Sequence, residues 1–182
     1  KAGRMGQIPL AIVAEGKGRR TYLAPDDLHT TIASSQSPDW IPDGQISHWP
    51  GRTNVVEYGM TDFHQLFTDR QLVALTTFSD LVGEAREWVL ADIESGDITQ
   101  FNGAPDVAIA YADAIATYLA FLVDQLANHQ STIVGWNSPN TQLRNTFSRQ
   151  ALPMTWDFAE SNPFCDSSGS FNNLFTRLLK AL

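Results

Sequence analysis

The hydrophobic positions of the chain change period several times, and each change marks an element. Ile8, Leu10, Ile12 and Val13 precede Gly16-Lys17-Gly18, and Arg20, Thr21, Tyr22 and Leu23 follow it. Two short runs around a glycine turn predict a β-hairpin over Gln7 to Leu23. Two strands alone are marginal in water, so the hairpin is expected to lie against another part of the protein. Pro25 heads a short predicted helix, Asp26 to Ser34, with Asp26 and Asp27 suited to its N-terminus. Ser35 to Met60 holds Pro38, Pro42, Pro50, Gly44, Gly51 and Gly59 and keeps neither period. Its Trp40, Ile41, Ile46, Trp49, Val55, Val56 and Tyr58 are too apolar for disorder, which predicts an extended strap lying across helices.

A longer pattern begins after one helical turn at Asp62 to Phe67. Thr68-Asp69-Arg70-Gln71 reads as a capping box, with Phe67 and Leu72 as its hydrophobic staple. Beyond it Leu75, Phe78, Val82, Ala85, Val89 and Ile93 recur at spacings of three and four, widened by Leu81 and Trp88, with Asp80, Glu84 and Glu87 opposite. This predicts a helix from Asp69 to about Glu94, stopped before Gly96. Ser95 to Ala104 is a polar turn, and Pro105 opens a second long helix to about His129. Val107, Tyr111, Ala114, Ile115, Tyr118, Leu122 and Leu126 are its expected buried face, and its many alanines favour close approach of a neighbouring helix. So short a connector predicts antiparallel packing. After Ser131 to Val134 and a Gly135-Trp136-Asn137 turn, Ser138-Pro139 predicts a third helix ending near Leu152, before Pro153. An irregular segment follows to Ser170, which caps a last amphipathic helix through Leu174, Phe175, Leu178 and Leu179. The predicted fold is mainly α: a bundle around two long antiparallel helices, with a small N-terminal β-hairpin and a long irregular strap. Residues 1–60 are expected to pack on a helical domain, 61–182, as one compact unit.

Composition narrows the chemistry. Lys and Arg total 12 against 20 for Asp and Glu, a formal charge of -8. Such a field repels phosphate backbones, so nucleic-acid contact would need a local patch. The dense one is Lys17, Arg19 and Arg20, with Arg4 nearby in sequence; its plainer reading is a solvated hairpin tip. The single Cys165 excludes an internal disulfide and a zinc ribbon within this segment, and no metal site is expected. His48 and His64 lack ligand-spaced partners and read as ordinary hydrogen-bonding residues. No apolar run approaches the ~20 residues of a bilayer span, and no secretory signal opens the chain, which points to the cytoplasm. A first residue that is not Met predicts a portion of a longer chain.

The densest mixture of charge and ring lies between Asn145 and Phe164. Arg149, Asp157, Glu160 and Asn162 alternate there with Phe147, Trp156, Phe158 and Phe164, and Pro153 and Pro163 prevent one continuous helix. Asp157 and Glu160 could form an acid and base pair, but carboxylates beside rings more often cap helices or pair with arginines, here Arg144 and Arg149. No nucleophile with an activating base is readable, and Cys165 has no activating neighbour in sequence.

Several ordered phrases carry a family likeness. Leu10 to Leu23, ending Arg20-Thr21-Tyr22-Leu23-Ala24-Pro25; Tyr58 to Leu75; Tyr111-Ala112-Asp113-Ala114; Asn145 to Pro153; and Ala151-Leu152-Pro153-Met154-Thr155-Trp156-Asp157-Phe158-Ala159-Glu160-Ser161-Asn162-Pro163-Phe164 resemble the large adenine-specific DNA methylases that carry a zinc ribbon. The resemblance implies a parent enzyme that methylates adenine in DNA with S-adenosylmethionine, in restriction-modification or phage defence. It covers that family's central helical portion. The chain lacks the family's cysteine ribbon, its Gly-rich cofactor loop and its Asp/Asn-Pro-Pro-aromatic catalytic motif, to which Asn162-Pro163-Phe164 has only a superficial likeness. No catalytic residue is therefore carried over. The expected role of this segment is support: Arg149, Trp156, Asp157, Glu160 and Asn162 either face a cofactor or target-base pocket or only bond the helices to the missing methyltransferase sheet, with the rest of the methyltransferase chain as partner and DNA and S-adenosylmethionine engaged through the parent.

Overall fold

The computed structural model describes residues 6–16, 18–98 and 105–182. Strands β1 (Ile12–Gly16) and β2 (Arg19–Leu23) pair antiparallel, Ile12 opposite Leu23 and Gly16 opposite Arg19. Helix α1 (Asp27–Ser34) follows, and Asp26 caps it by accepting from the His29 N–H at 2.9 Å. The strap to residue 60 is mostly extended, with one short helix, α2 (Asn54–Glu57), and is tied down where the Ile46 N–H donates to the Thr61 carbonyl at 2.7 Å. A 3-10 turn, Phe63–Leu66, leads into α3 (Asp69–Ser95). The expected capping box is formed, and Gly96 ends the helix in the left-handed region, φ 87°, which glycine adopts without a Cβ penalty.

Helix α4 (Pro105–Ala127) packs along α3. Leu75 shares a buried cluster with Leu122 and Leu126, while Arg86, farther along α3, pairs with Asp113, farther back along α4. That order makes the two helices antiparallel, as their spacing predicts. The later part of the connecting turn lies outside the described residues. Helix α5 (Phe171–Leu179) closes over the α4 end of this pair through Leu174. The Phe171 ring stacks on Phe78 at 4.7 Å. A second cluster, Ile46, Val55, Leu66 and Ile133, joins the strap to the segment after α4, and Phe67 packs against both clusters.

Three expectations change. The stretch from Ser138 to Leu152 is not a helix: β3 (Trp136–Asn137) and β4 (Gln142–Leu143) form a two-residue antiparallel ladder around a turn in which Thr141 has φ 46°. Ser138 to Gln142 has no apolar stripe for a helix to bury. The backbone donors of the region instead serve neighbouring segments: Thr146 N–H to the Asn128 carbonyl at 2.8 Å, Leu152 N–H to that of Arg52 at 2.6 Å. On α4 the buried positions are Ala108, Ala112, Leu122 and Leu126, and Val107, Tyr111 and Tyr118 are exposed. Alanine lets the α3 backbone approach, which turns the bulkier side chains outward. Leu81 and Trp88 of α3 are exposed for the same reason of rotation. Finally, α4 is long and apolar enough to cross a bilayer by length and composition, although no uninterrupted apolar run exists. Its Asp113 is held by Arg86 of α3 at 2.7 Å.

Candidate functional site

The polar centre of the fold is the N-terminus of α3, where three remote parts of the chain converge. The Thr68 hydroxyl accepts from the Gln71 N–H at 3.2 Å and the Gln71 side-chain carbonyl accepts from the Thr68 N–H at 2.9 Å. Both side chains are buried. Thr68 also donates to one oxygen of Glu160 at 3.4 Å, and Arg70 Nε donates to the other at 2.5 Å. Arg70 Nη1 reaches back to the Ala33 carbonyl in α1 at 3.2 Å. A carboxylate at a helix N-terminus is favoured by the exposed N–H groups there, and the adjacent guanidinium adds a charge-assisted bond.

Beside this junction runs a buried segment, His129 to Val134, that carries no formal charge with His neutral. Gln130 Nε2 donates to the Ser161 carbonyl at 3.0 Å and to its hydroxyl at 2.6 Å. Thr132 gives both its N–H and its hydroxyl to the Leu66 carbonyl, at 2.7 and 3.0 Å. Ser131 and Thr146 hydroxyls are 2.8 Å apart, and the Val134 carbonyl accepts from the Ala159 N–H at 2.7 Å. The hydrophobic pattern assigns His129 to Val134 no role beyond joining two elements. Its signal is a run of uncharged polar residues between a helix end and a glycine, a composition that is buried only when each polar group finds a partner. The Gln71 Nε2 has no partner among the described residues.

The candidate residues do not gather at one place. Glu160 is in the junction, with Arg70 as its partner rather than Arg144 or Arg149. Trp156 is 67% exposed and meets Tyr58 edge-on at 5.3 Å, whereas Phe158 is half-buried. Asp157 is exposed. Asn162 shapes its own turn: its side-chain carbonyl accepts from the Phe164 N–H at 2.9 Å and its main-chain carbonyl from the Cys165 N–H at 3.3 Å. Arg149 lies in a separate groove lined with Trp49 and Phe147. At the hairpin, Arg19 is exposed, Arg20 sits 3.9 Å from Glu15 with its guanidinium 6.0 Å from the Trp136 ring centre, and Lys17 lies outside the described residues.

The His29 backbone N–H, then its side chain, holds Asp26 below the ordinary carboxylate value. Asp113 and then Glu87 raise Arg86. Among the described residues no three His, Cys, Asp or Glu side chains gather as a metal-holding group. Apart from Gln71 Nε2, the junction's groups are committed to one another and to backbone, so what this arrangement does chemically is hold three segments in register. No model of a protein family, no curated protein and no solved structure matches the chain.

Proposed function

We propose that the chain is the non-catalytic central helical segment of an S-adenosylmethionine-dependent DNA adenine N6-methyltransferase, working in the cytoplasm and supporting the catalytic domain or its target-base pocket. The observation that carries this reading is a junction. The two longest phrases that resemble the zinc-ribbon methylases, Tyr58 to Leu75 and Asn145 to Phe164, are bonded to each other through Thr68, Arg70 and Glu160. A shared scaffold explains why both phrases occur in one chain in that order. The surface fits a supporting role: the rings of Trp88, Phe147, Trp156 and Phe164 are exposed. S-adenosylmethionine and the adenine that is methylated enter through the catalytic portion of the parent.

Methyl transfer to DNA adenine by the full-length enzyme tests the reading. Trp156 and Asp157 are exposed, so their replacement by Ala leaves this segment folded while removing groups offered to the neighbouring portion. Each variant is expected to lower turnover by about tenfold or more, the scale of a misplaced support. Unchanged turnover in both overturns the site assignment. The segment alone is expected to show no thermal shift with S-adenosylmethionine. A second reading, a stand-alone acidic helical module that binds another protein, draws on the exposed Leu81, Trp88, Tyr118 and Phe121. An open reading frame bounded closely around this segment favours it over the first.

A further inference from the structure

Trp49, Arg52, Thr53, Phe147, Arg149 and Leu152 line an open groove of about 460 Å³ on the face formed by the strap and the segment after β4. Its two walls are 98 residues apart in sequence and are joined by backbone. The Leu152 N–H donates to the Arg52 carbonyl at 2.6 Å, the Val55 N–H to the Leu152 carbonyl at 3.3 Å, and Arg52 Nη1 to the Gln150 carbonyl at 3.5 Å. The Trp49 turn is held by Thr53, whose hydroxyl accepts from the Trp49 N–H at 2.7 Å and donates to the Ser47 carbonyl at 2.8 Å. These bonds use main chain at Trp49, so its ring is left 67% exposed, and Phe147 is 65% exposed.

The groove's lining holds two arginines and no carboxylate, and neither Arg52 nor Arg149 has a carboxylate partner among the described residues. Guanidiniums beside open rings form a local positive patch on a chain whose formal charge of -8 otherwise repels phosphate, and such a patch is matched by a ligand that is anionic along its backbone and flat between its charges. We infer that the groove binds a single-stranded stretch of nucleic acid, with phosphates on Arg52 and Arg149 and a base against Trp49 or Phe147. An acidic peptide matches the charges but not the rings, and the sulfonium of S-adenosylmethionine is repelled by both arginines. The site is distinct from the hairpin tip. The preference for DNA over RNA rests on the methyltransferase reading; the groove itself does not.

Fluorescence anisotropy of labelled oligothymidylate about ten nucleotides long, titrated with the 182-residue chain, tests the inference. Saturable binding is expected, and none up to about 0.1 mM, the weak end of non-specific affinity, by either this oligothymidylate or an RNA of the same length overturns it. Arg52→Ala with Arg149→Ala is expected to weaken binding about tenfold or more and to make the log-log salt dependence shallower by about 1.4, whereas the double Lys variant keeps the slope. Trp49→Ala with Phe147→Ala is expected to cost about tenfold with the slope unchanged. Arg19→Ala is expected to change neither. Circular dichroism melts establish that each variant is folded. Equal binding of an oligoglutamate peptide, or equal losses at Arg19 and in the groove, overturns the inference. Binding of an RNA of the same length but not of DNA upholds the groove and counts against the methyltransferase reading.

Discussion

The two ends of the α3–α4 pair follow the same amphipathic rule and end in different states. At the end bearing Leu75, Leu122 and Leu126, α5 and the segment from His129 to Val134 add a further layer, and Leu126 and Val134 are completely buried. At the other end Ala108, Ala112 and Ile93 are buried, but Trp88 is 63% and Val107 50% exposed. A helix pair by itself encloses only the narrow seam between its axes. Periodicity reports that a face is apolar, and what covers that face depends on other parts of the chain.

Core truncation separates the two ends most strongly. Leu126→Ala is expected to cost about 3 kcal/mol in denaturant unfolding, against within about 0.5 kcal/mol for Trp88→Ser; similar costs would erase the contrast. Breaking the polar junction comes next. Glu160→Ala leaves Arg70 beside the α3 terminus without its carboxylate and is expected to cost about 2 kcal/mol, with a weaker salt dependence than a more exposed pair. The Arg86–Asp113 pair between the exposed parts of the helices should instead fade as salt rises, which a double-mutant cycle at two ionic strengths would read. Thr68→Ala removes the cap of α3 and one bond to Glu160, for about 1 kcal/mol.

The smallest effect is at α1. Asp26 is depressed in the folded chain, so the stability it adds is fully present above its unfolded value and is lost as pH falls through the lower folded value. Amide exchange at His29 should rise in that acidic window relative to amides within α3, after correction for intrinsic rates. An unchanged ratio would mean that the cap does not hold α1.

Much of this organisation is legible in the chain because its causes are local. Thr68 with Gln71 marks the start of α3, Gly96 its end, Pro105 the start of α4 and Ser170 the cap of α5, each within a few residues of the group it satisfies. The candidate site was only partly legible. Glu160 is identifiable as a carboxylate in need of a partner, but nearby Arg144 and Arg149 read as its partners while the structure uses Arg70, 90 residues away. The groove was hidden for the same reason: Arg149, Trp49 and Phe147 each stand out singly, and Arg52 not at all, until the Leu152 amide joins the two walls.

Sequence by itself determined the caps, the breaks and the amphipathic character of α3 and α4, because backbone satisfaction at helix ends and side-chain period act over one or two turns. Tertiary structure decided which face of α4 turns inward, that Ser138 to Leu152 forms a hairpin-like turn rather than a helix, and which arginine holds Glu160. Those outcomes depend on competition among distant partners. Two alanines admit a neighbouring helix more closely than two tyrosines, and a main-chain donor pairs with whichever carbonyl folding brings within reach.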